Sequence, residues 1–203
     1  MKYVKILGLA AVAAMAMMAF ASGASAASLY TTEPVGTVKT LPAGTTITSS
    51  LTGGTAKLED TKGNVLDTCT GGGVTGKTTN GGGEGISVKG SVAKEGVTWT
   101  GCTVPTSTTE GGELEIAHIT GTTSGTVTGK AFKVSINTIL FGTCVYTLGA
   151  GTHLGTLAGS ESGTASLVIK AVVTKVSGIC ESTGIWNATY TVTKPDPLWV
   201  EAK

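Results

Sequence analysis

Apolar and polar residues alternate along much of this chain. Phe132, Val134 and Ile136 fall on one parity, and Lys133, Ser135 and Asn137 on the other. Trp186, Ala188, Tyr190 and Val192 alternate with Asn187, Thr189 and Thr191; Leu114 and Ile116 alternate with Glu113 and Glu115. A period of two places successive side chains on opposite faces of an extended backbone, so each run predicts a strand with one buried face. Leu167 to Val173 is apolar on both parities except at Lys170, which predicts a more central strand. Turn signals separate the runs: Lys62-Gly63-Asn64, Asn80-Gly81, Glu95-Gly96, Gly111-Gly112 and Gly149-Ala150-Gly151. Roughly a dozen short strands at this spacing predict an all-β fold, an antiparallel β-sandwich of Ig-like or jelly-roll-like type.

The N-terminus departs from that pattern. Lys2 and Lys5 precede an uncharged apolar run from Ile6 to Phe20, and small residues follow from Ser22 to Ala26. Ala24-Ser25-Ala26 satisfies the A-x-A rule, so residues 1–26 are expected to be a helical signal peptide, cleaved between Ala26 and Ala27. The apolar run is shorter than the roughly 20 residues of a spanning helix. Residues 27–203 are then expected to form a single β-sandwich domain, secreted or extracellular, at the cell surface or in the periplasm, with no integral membrane segment.

Composition narrows the partners. Thr is the commonest residue, followed by 31 Gly, and all 14 basic residues are Lys. Arg is the preferred side chain for bidentate contacts to phosphate and bases, so nucleic acid is not expected as a partner. Nor is there a polybasic segment to hold an anionic membrane. Cys69, Cys102, Cys144 and Cys180 form an even set in an exported chain, which predicts two disulfides in one of three connectivities. A weak duplication aligns Thr68-Cys69, the segment Ile86 to Lys94 and Cys102 with Thr143-Cys144, Leu167 to Lys175 and Cys180. On that alignment the simplest pairing is Cys69–Cys102 and Cys144–Cys180, each bond contributing about 2–4 kcal/mol. No C-x-x-C pair points to zinc.

Several segments resemble chemical motifs and lack the context those motifs need. Gly71 to Thr78 matches G-x-x-x-x-G-K-[ST], and Gly71, Gly73 and Gly76 match G-x-G-x-x-G. Phosphate binding there requires a helix directly afterwards, and Thr79, Asn80 and Gly81 to Gly83 do not start one. The segment is expected to be a Gly-rich hairpin loop. Ser91-Val92-Ala93-Lys94 matches S-x-x-K without its partner motifs. In Gly159-Ser160-Glu161-Ser162-Gly163, Glu161 stands where an elbow would place its nucleophile. His118 shares the parity of Leu114 and Ile116, and His153 sits among glycines with no acid nearby in sequence. Asn187-Ala188-Thr189 is a glycosylation sequon treated as chance. No catalytic, cofactor-binding or metal-ligating residue is assigned, no cofactor is expected, and the protein is expected not to be an enzyme. Of the three tryptophans, Trp99, Trp186 and Trp199, the last is the best candidate for an exposed ring.

Leu29-Tyr30-Thr31-Thr32, Val65 to Thr70, Gly112 to Ile116, Phe141 to Tyr146 and Tyr190 to Thr193 resemble a family of secreted Thr/Gly-rich, four-cysteine actinobacterial proteins, mostly uncharacterised. The resemblance covers most of residues 27–203. A fainter likeness, compositional and topological, is to the secreted activator-of-alkane-oxidation family. It implies an extracellular, non-catalytic role in hydrocarbon uptake or the surface matrix. Two functions follow as expectations. The first is a secreted or cell-surface structural protein that self-associates into a fibre or biofilm matrix, with Ser28 to Leu51 as an exchangeable strand. The alternative is an extracellular binding module for carbohydrate or hydrocarbon.

Overall fold

The structure is a computed structural model and describes residues 26–32, 36–52 and 54–203. The expected signal peptide lies, apart from Ala26, outside the described residues. The rest is almost wholly β. In chain order the strands are β1 (Ser28–Thr31), β2 (Lys39–Thr40), β3 (Thr46–Leu51), β4 (Ala56–Asp60), β5 (Val65–Thr78), β6 (Val88–Val92), β7 (Val97–Cys102), β8 (Thr106–Glu110), β9 (Gly112–His118), β10 (Gly125–Lys130), β11 (Lys133–Thr138), β12 (Gly142–Thr147), β13 (Thr152–Ala158), β14 (Ser166–Ser177), β15 (Thr183–Lys194) and β16 (Trp199–Glu201). A single 3₁₀ turn, Lys94–Gly96, interrupts them among the described residues.

The all-β expectation holds, but the sandwich does not. β3 pairs with β5 through residues 46–50 and with β15 through residues 48–51, so it is bonded on both sides. From β5 the pairing continues through β6, β9, β10, β13 and β14 back to β15. These eight strands form a closed ring. Alternating sequence cannot separate the two architectures, because both bury every second residue; closure depends on which strands pair, and that is set by non-local contacts.

A second lobe hangs from the same staves. β5 has 14 residues, and β14 and β15 have 12 each, enough to run through both lobes. In the lower lobe β15 pairs with β4, β4 with β5, and β5 with β7. On the other side β8 pairs with β11, β11 with β12, and β12 with β14. β7 and β8 face each other across a seam without ladder pairing, tied by Trp99 Nε1 donating to Thr108 Oγ1 at 2.9 Å. Between β6 and β13 the chain shuttles between lobes. Gly111-Gly112, expected to reverse the chain, instead bends it as β8 leaves the lower lobe and β9 enters the upper. A Cβ on Gly112 would stand 2.5 Å from the Lys130 carbonyl, so the bend needs glycine.

Two further expectations change for the same reason. Gly71 to Thr78 is strand, not a hairpin loop, and no helix follows it. It is glycine-rich because β3 and β7 both press on β5 there. A Cβ on Gly73 would lie 2.5 Å from the Ser49 carbonyl oxygen, and one on Gly72, at φ +131°, would lie 2.2 Å from that of Thr98. Leu167 to Val173 is not covered on both faces: Leu167, Ile169, Ala171 and Val173 point inward, whereas Val168 and Val172 are 43% and 53% exposed. A barrel wall has only one dry side.

The mouth of the upper lobe is covered by a small sheet, β16-β1-β2. Leu29, Leu198 and Val200 from this lid are buried. Trp199, expected to be exposed, is 2% exposed: its ring stacks on Tyr30 with centroids 5.9 Å apart, and its Nε1 donates to Glu201 at 2.8 Å. The short strand β16 forms one edge of this lid. Disulfides join Cys69 to Cys102, across the β5–β7 pair, and Cys144 to Cys180, tying β12 to the loop after β14. The two arms of the proposed duplication are not equivalent in space. Ile86 to Lys94 contains β6, a short stave of the upper ring, whereas Leu167 to Lys175 lies within β14, which both lobes share.

Replacing Gly72 by Ala puts a side chain into strained backbone against a carbonyl, and is expected to lower stability by about 2–3 kcal/mol. Gly54, with nothing within 4 Å of an added Cβ, is the control and is expected to change stability by less than about 0.5 kcal/mol on substitution by Ala. Urea unfolding followed by tryptophan fluorescence measures both.

Candidate functional site

The residues singled out for chemistry do not converge. His118 Nε2 lies 2.7 Å from the Thr122 carbonyl at the end of β9, while His153 is exposed on β13. Ser91 is in β6 and Glu161 in the exposed 159–165 loop, and neither stands at a helix start. Asn187 of the sequon is in mid-strand, its amide donating to Glu59 at 2.9 Å. Among the described residues the only group of three metal-type side chains is Asp67, Cys69 and Cys102, and its two cysteines are bonded to each other.

Both buried carboxylates serve the fold. Asp67 accepts hydrogen bonds from Thr103 Oγ1 (2.8 Å), the Val104 N–H (3.2 Å) and Thr106 Oγ1 (2.5 Å), pinning the turn between β7 and β8 to β5. Asp60 closes the β4–β5 hairpin, where Gly63 adopts φ +86° as the Lys62-Gly63-Asn64 signal predicts. It accepts from Asn64 Nδ2 at 2.6 Å and from the N–H groups of Lys62 and Asn64, each at 2.8 Å. The Asn64 side chain first, and then these backbone donors, hold its carboxyl below the usual carboxylate range.

The unusual surface lies at the far end of the lower lobe. Between β11 and β12 the chain turns over Ile139, Leu140 and Phe141, which are 96%, 82% and 46% exposed. The turn is well fixed. Thr138 Oγ1 accepts from the Phe141 N–H at 3.0 Å and donates to the Gly142 carbonyl at 3.2 Å, and Gly142 takes φ +64°. This three-residue loop with a left-handed glycine is a standard hairpin closure, so the apolar residues are displayed by an ordered turn. The loop after β14 is fastened to the same hairpin by Cys144–Cys180 and by the close approach of Gly178 to Thr143. It adds the exposed Ile179, and Val176 stands exposed just before it on β14.

Charge is confined to the foot of this hairpin, where Lys133 pairs with Glu110 at 2.8 Å; no acidic or basic residue other than His153 occurs from Val134 to Ser160. At its flank, Lys175 donates to the Cys180 carbonyl at 2.5 Å, and Lys62 lies 3.9 Å from Glu181. Burying three such side chains would release about 5 kcal/mol before the cost of association is subtracted. Sequence reasoning passed over this tip, although three consecutive apolar residues between Thr138 and a glycine interrupt the alternation there.

No protein-family model matches this chain, and neither the curated proteins nor the solved structures include a significant match. No described helix is long and apolar enough to cross a membrane.

The depressed Asp60 carboxyl sets a pH dependence. Its contribution to stability is fully present above the unfolded value of about 4 and is lost as pH falls through the lower folded value. Asp60→Asn is therefore expected to melt below the wild type at pH 7, with the difference shrinking as pH falls through the lowered folded value. Thermal melts across that range measure the difference.

Proposed function

We propose that this protein is an exported, non-catalytic barrel that attaches to apolar phases, hydrocarbon above all, through the Ile139-Leu140-Phe141 tip. The observation that carries this reading is the display of three large apolar side chains on a hydrogen-bonded turn at the uncharged end of a hairpin. Monomeric proteins rarely leave such a cluster in water without a use for it. The uncharged end of the hairpin, residues 134–147, enters a hydrocarbon boundary without the desolvation penalty that ions carry. Carbohydrate recognition draws less support, because the expected ring platform, Trp199, is buried beneath Tyr30 and the lid.

The fibre reading draws less support too. Strand exchange needs a free edge, and Ser28 to Leu51 is heavily engaged: β1 lies between β16 and β2, and β3 between β15 and β5. Closed barrels remove the template on which strands add.

The test is adsorption to hexadecane droplets in water. Wild-type protein is expected to partition to the droplets, and the triple substitution Ile139→Ser, Leu140→Ser and Phe141→Ser to reduce partitioning at least tenfold. Its melting temperature should stay within about 3 °C of the wild type, because exposed positions contribute little to folding. Equal partitioning of the two proteins overturns the proposal. A wild type that sediments as a fibre or large oligomer, and does so equally after the substitutions, restores self-assembly as the better reading.

A further inference from the structure

The upper ring encloses a cavity of about 80 Å³. Leu29 of β1 and Leu198, just before β16, cover it from the lid side. Ile47, Val127, Leu157 and Val192 line it from β3, β10, β13 and β15. Two buried hydroxyls border this region and both are satisfied: Ser49 donates to the Val74 carbonyl at 3.2 Å and Thr78 to the Pro42 carbonyl at 2.7 Å, while Lys77, Lys89 and Ser91, also on its border, are exposed residues of β5 and β6. Water needs two to four polar partners to remain in such a space, and the aliphatic side chains that make up most of the wall offer none.

Its position separates it from a casual packing fault. Ile47, Val74, Leu114, Ile116 and Leu167 come from five different staves, all point inward, and all remain only partly buried. The void is therefore central to the ring rather than a pinhole between two side chains. It is roofed by a lid whose strands are short, at two to four residues, and whose β2 pairs on one side only. The lower lobe, filled by Trp99, Trp186, Phe132 and Tyr146, leaves only about 40 Å³.

We infer that the upper lobe is a binding site for a small neutral apolar molecule, admitted past the β16-β1-β2 lid. Size follows from volume. An engineered apolar cavity of about 150 Å³ accepts benzene or xenon. About half that space suits a guest of xenon or three-carbon size, held by dispersion against aliphatic methyl groups. Charged or hydrogen-bonding guests are disfavoured, because the buried hydroxyls of Ser49 and Thr78 are already engaged and the rest of the inner wall is aliphatic. The site lies in the other lobe from the Ile139-Leu140-Phe141 tip and does not depend on it.

The probe is xenon gas, applied under pressure to the purified, disulfide-bonded protein carrying ¹³C-labelled methyl groups. Saturable shifts are expected in the methyl resonances of Leu29, Val127, Leu157, Val192 and Leu198. They should be unchanged by the Ser substitutions at the tip. Filling the space with Val127→Ile and Val192→Ile is expected to weaken xenon binding at least about fourfold, the equivalent of one displaced methyl contact. Leu29→Ala, which enlarges the chamber beneath the lid, is expected to strengthen it or to admit propane. Absence of saturation overturns the proposal. So does a response concentrated at Ile139 and Leu140, or shifts of equal size in a folded Val127→Ile, Val192→Ile protein. Should that double variant not fold, the location of the shifts in the wild type decides the matter alone.

Discussion

Everything in this molecule depends on β3 being hydrogen-bonded on both edges. Six residues between β15 and β5 turn a long antiparallel sheet into a ring. Open that strand and only β4, in the lower lobe, still bridges β15 and β5, so the upper halves of two Thr-containing, nearly uncharged strands become edges to which further strands can add. Closed, it has short edges at the lid and one seam between β7 and β8. That seam is crossed by the Trp99–Thr108 contact, and its two strands are anchored to β5 by the Cys69–Cys102 bond and the Asp67 hydrogen bonds. Ring closure is thus both the source of the core and the safeguard against aggregation.

The glycines make that closure possible. β5 carries four neighbours along its length: β4 and β3 on one edge, β7 and β6 on the other. Beside their overlap at residues 73 and 74, the β3 backbone comes within reach of a Cβ at residue 73 and the β7 backbone within reach of one at residue 72. Glycine at 72 and 73 is therefore a steric requirement of a stave serving two lobes. The same run imitates a phosphate-binding loop by composition alone, because close backbone approach selects glycine in either setting.

Strands and their inward faces were readable from alternation: Trp186, Ala188, Tyr190 and Val192 point inward, as their parity predicts. The hairpin at 61–64 was equally readable, because its turn residues have local geometric reasons. Closure was not, since a sandwich and a barrel impose the same period on each strand. Trp199 was misjudged because its burial comes from Tyr30, some 170 residues away in sequence. The tip at 139–141 left a visible trace, a break in alternation, but its exposure depends on the hairpin projecting beyond its neighbours. The alternating stretch Phe132 to Ile136 just before it drew attention to the core face instead.

The pairing of β1 with β16 brings together the first and last described strands of the molecule. A polypeptide leaving a channel N-terminus first would present Leu29 long before residue 201 emerges to meet it. The roof of the upper chamber is then the last part that can assemble, and the interior stays open to its surroundings until the whole chain has passed through. Maturation on the far side of the membrane would give that chamber one interval in which to be filled or emptied freely, and after it access only through motion of the roof.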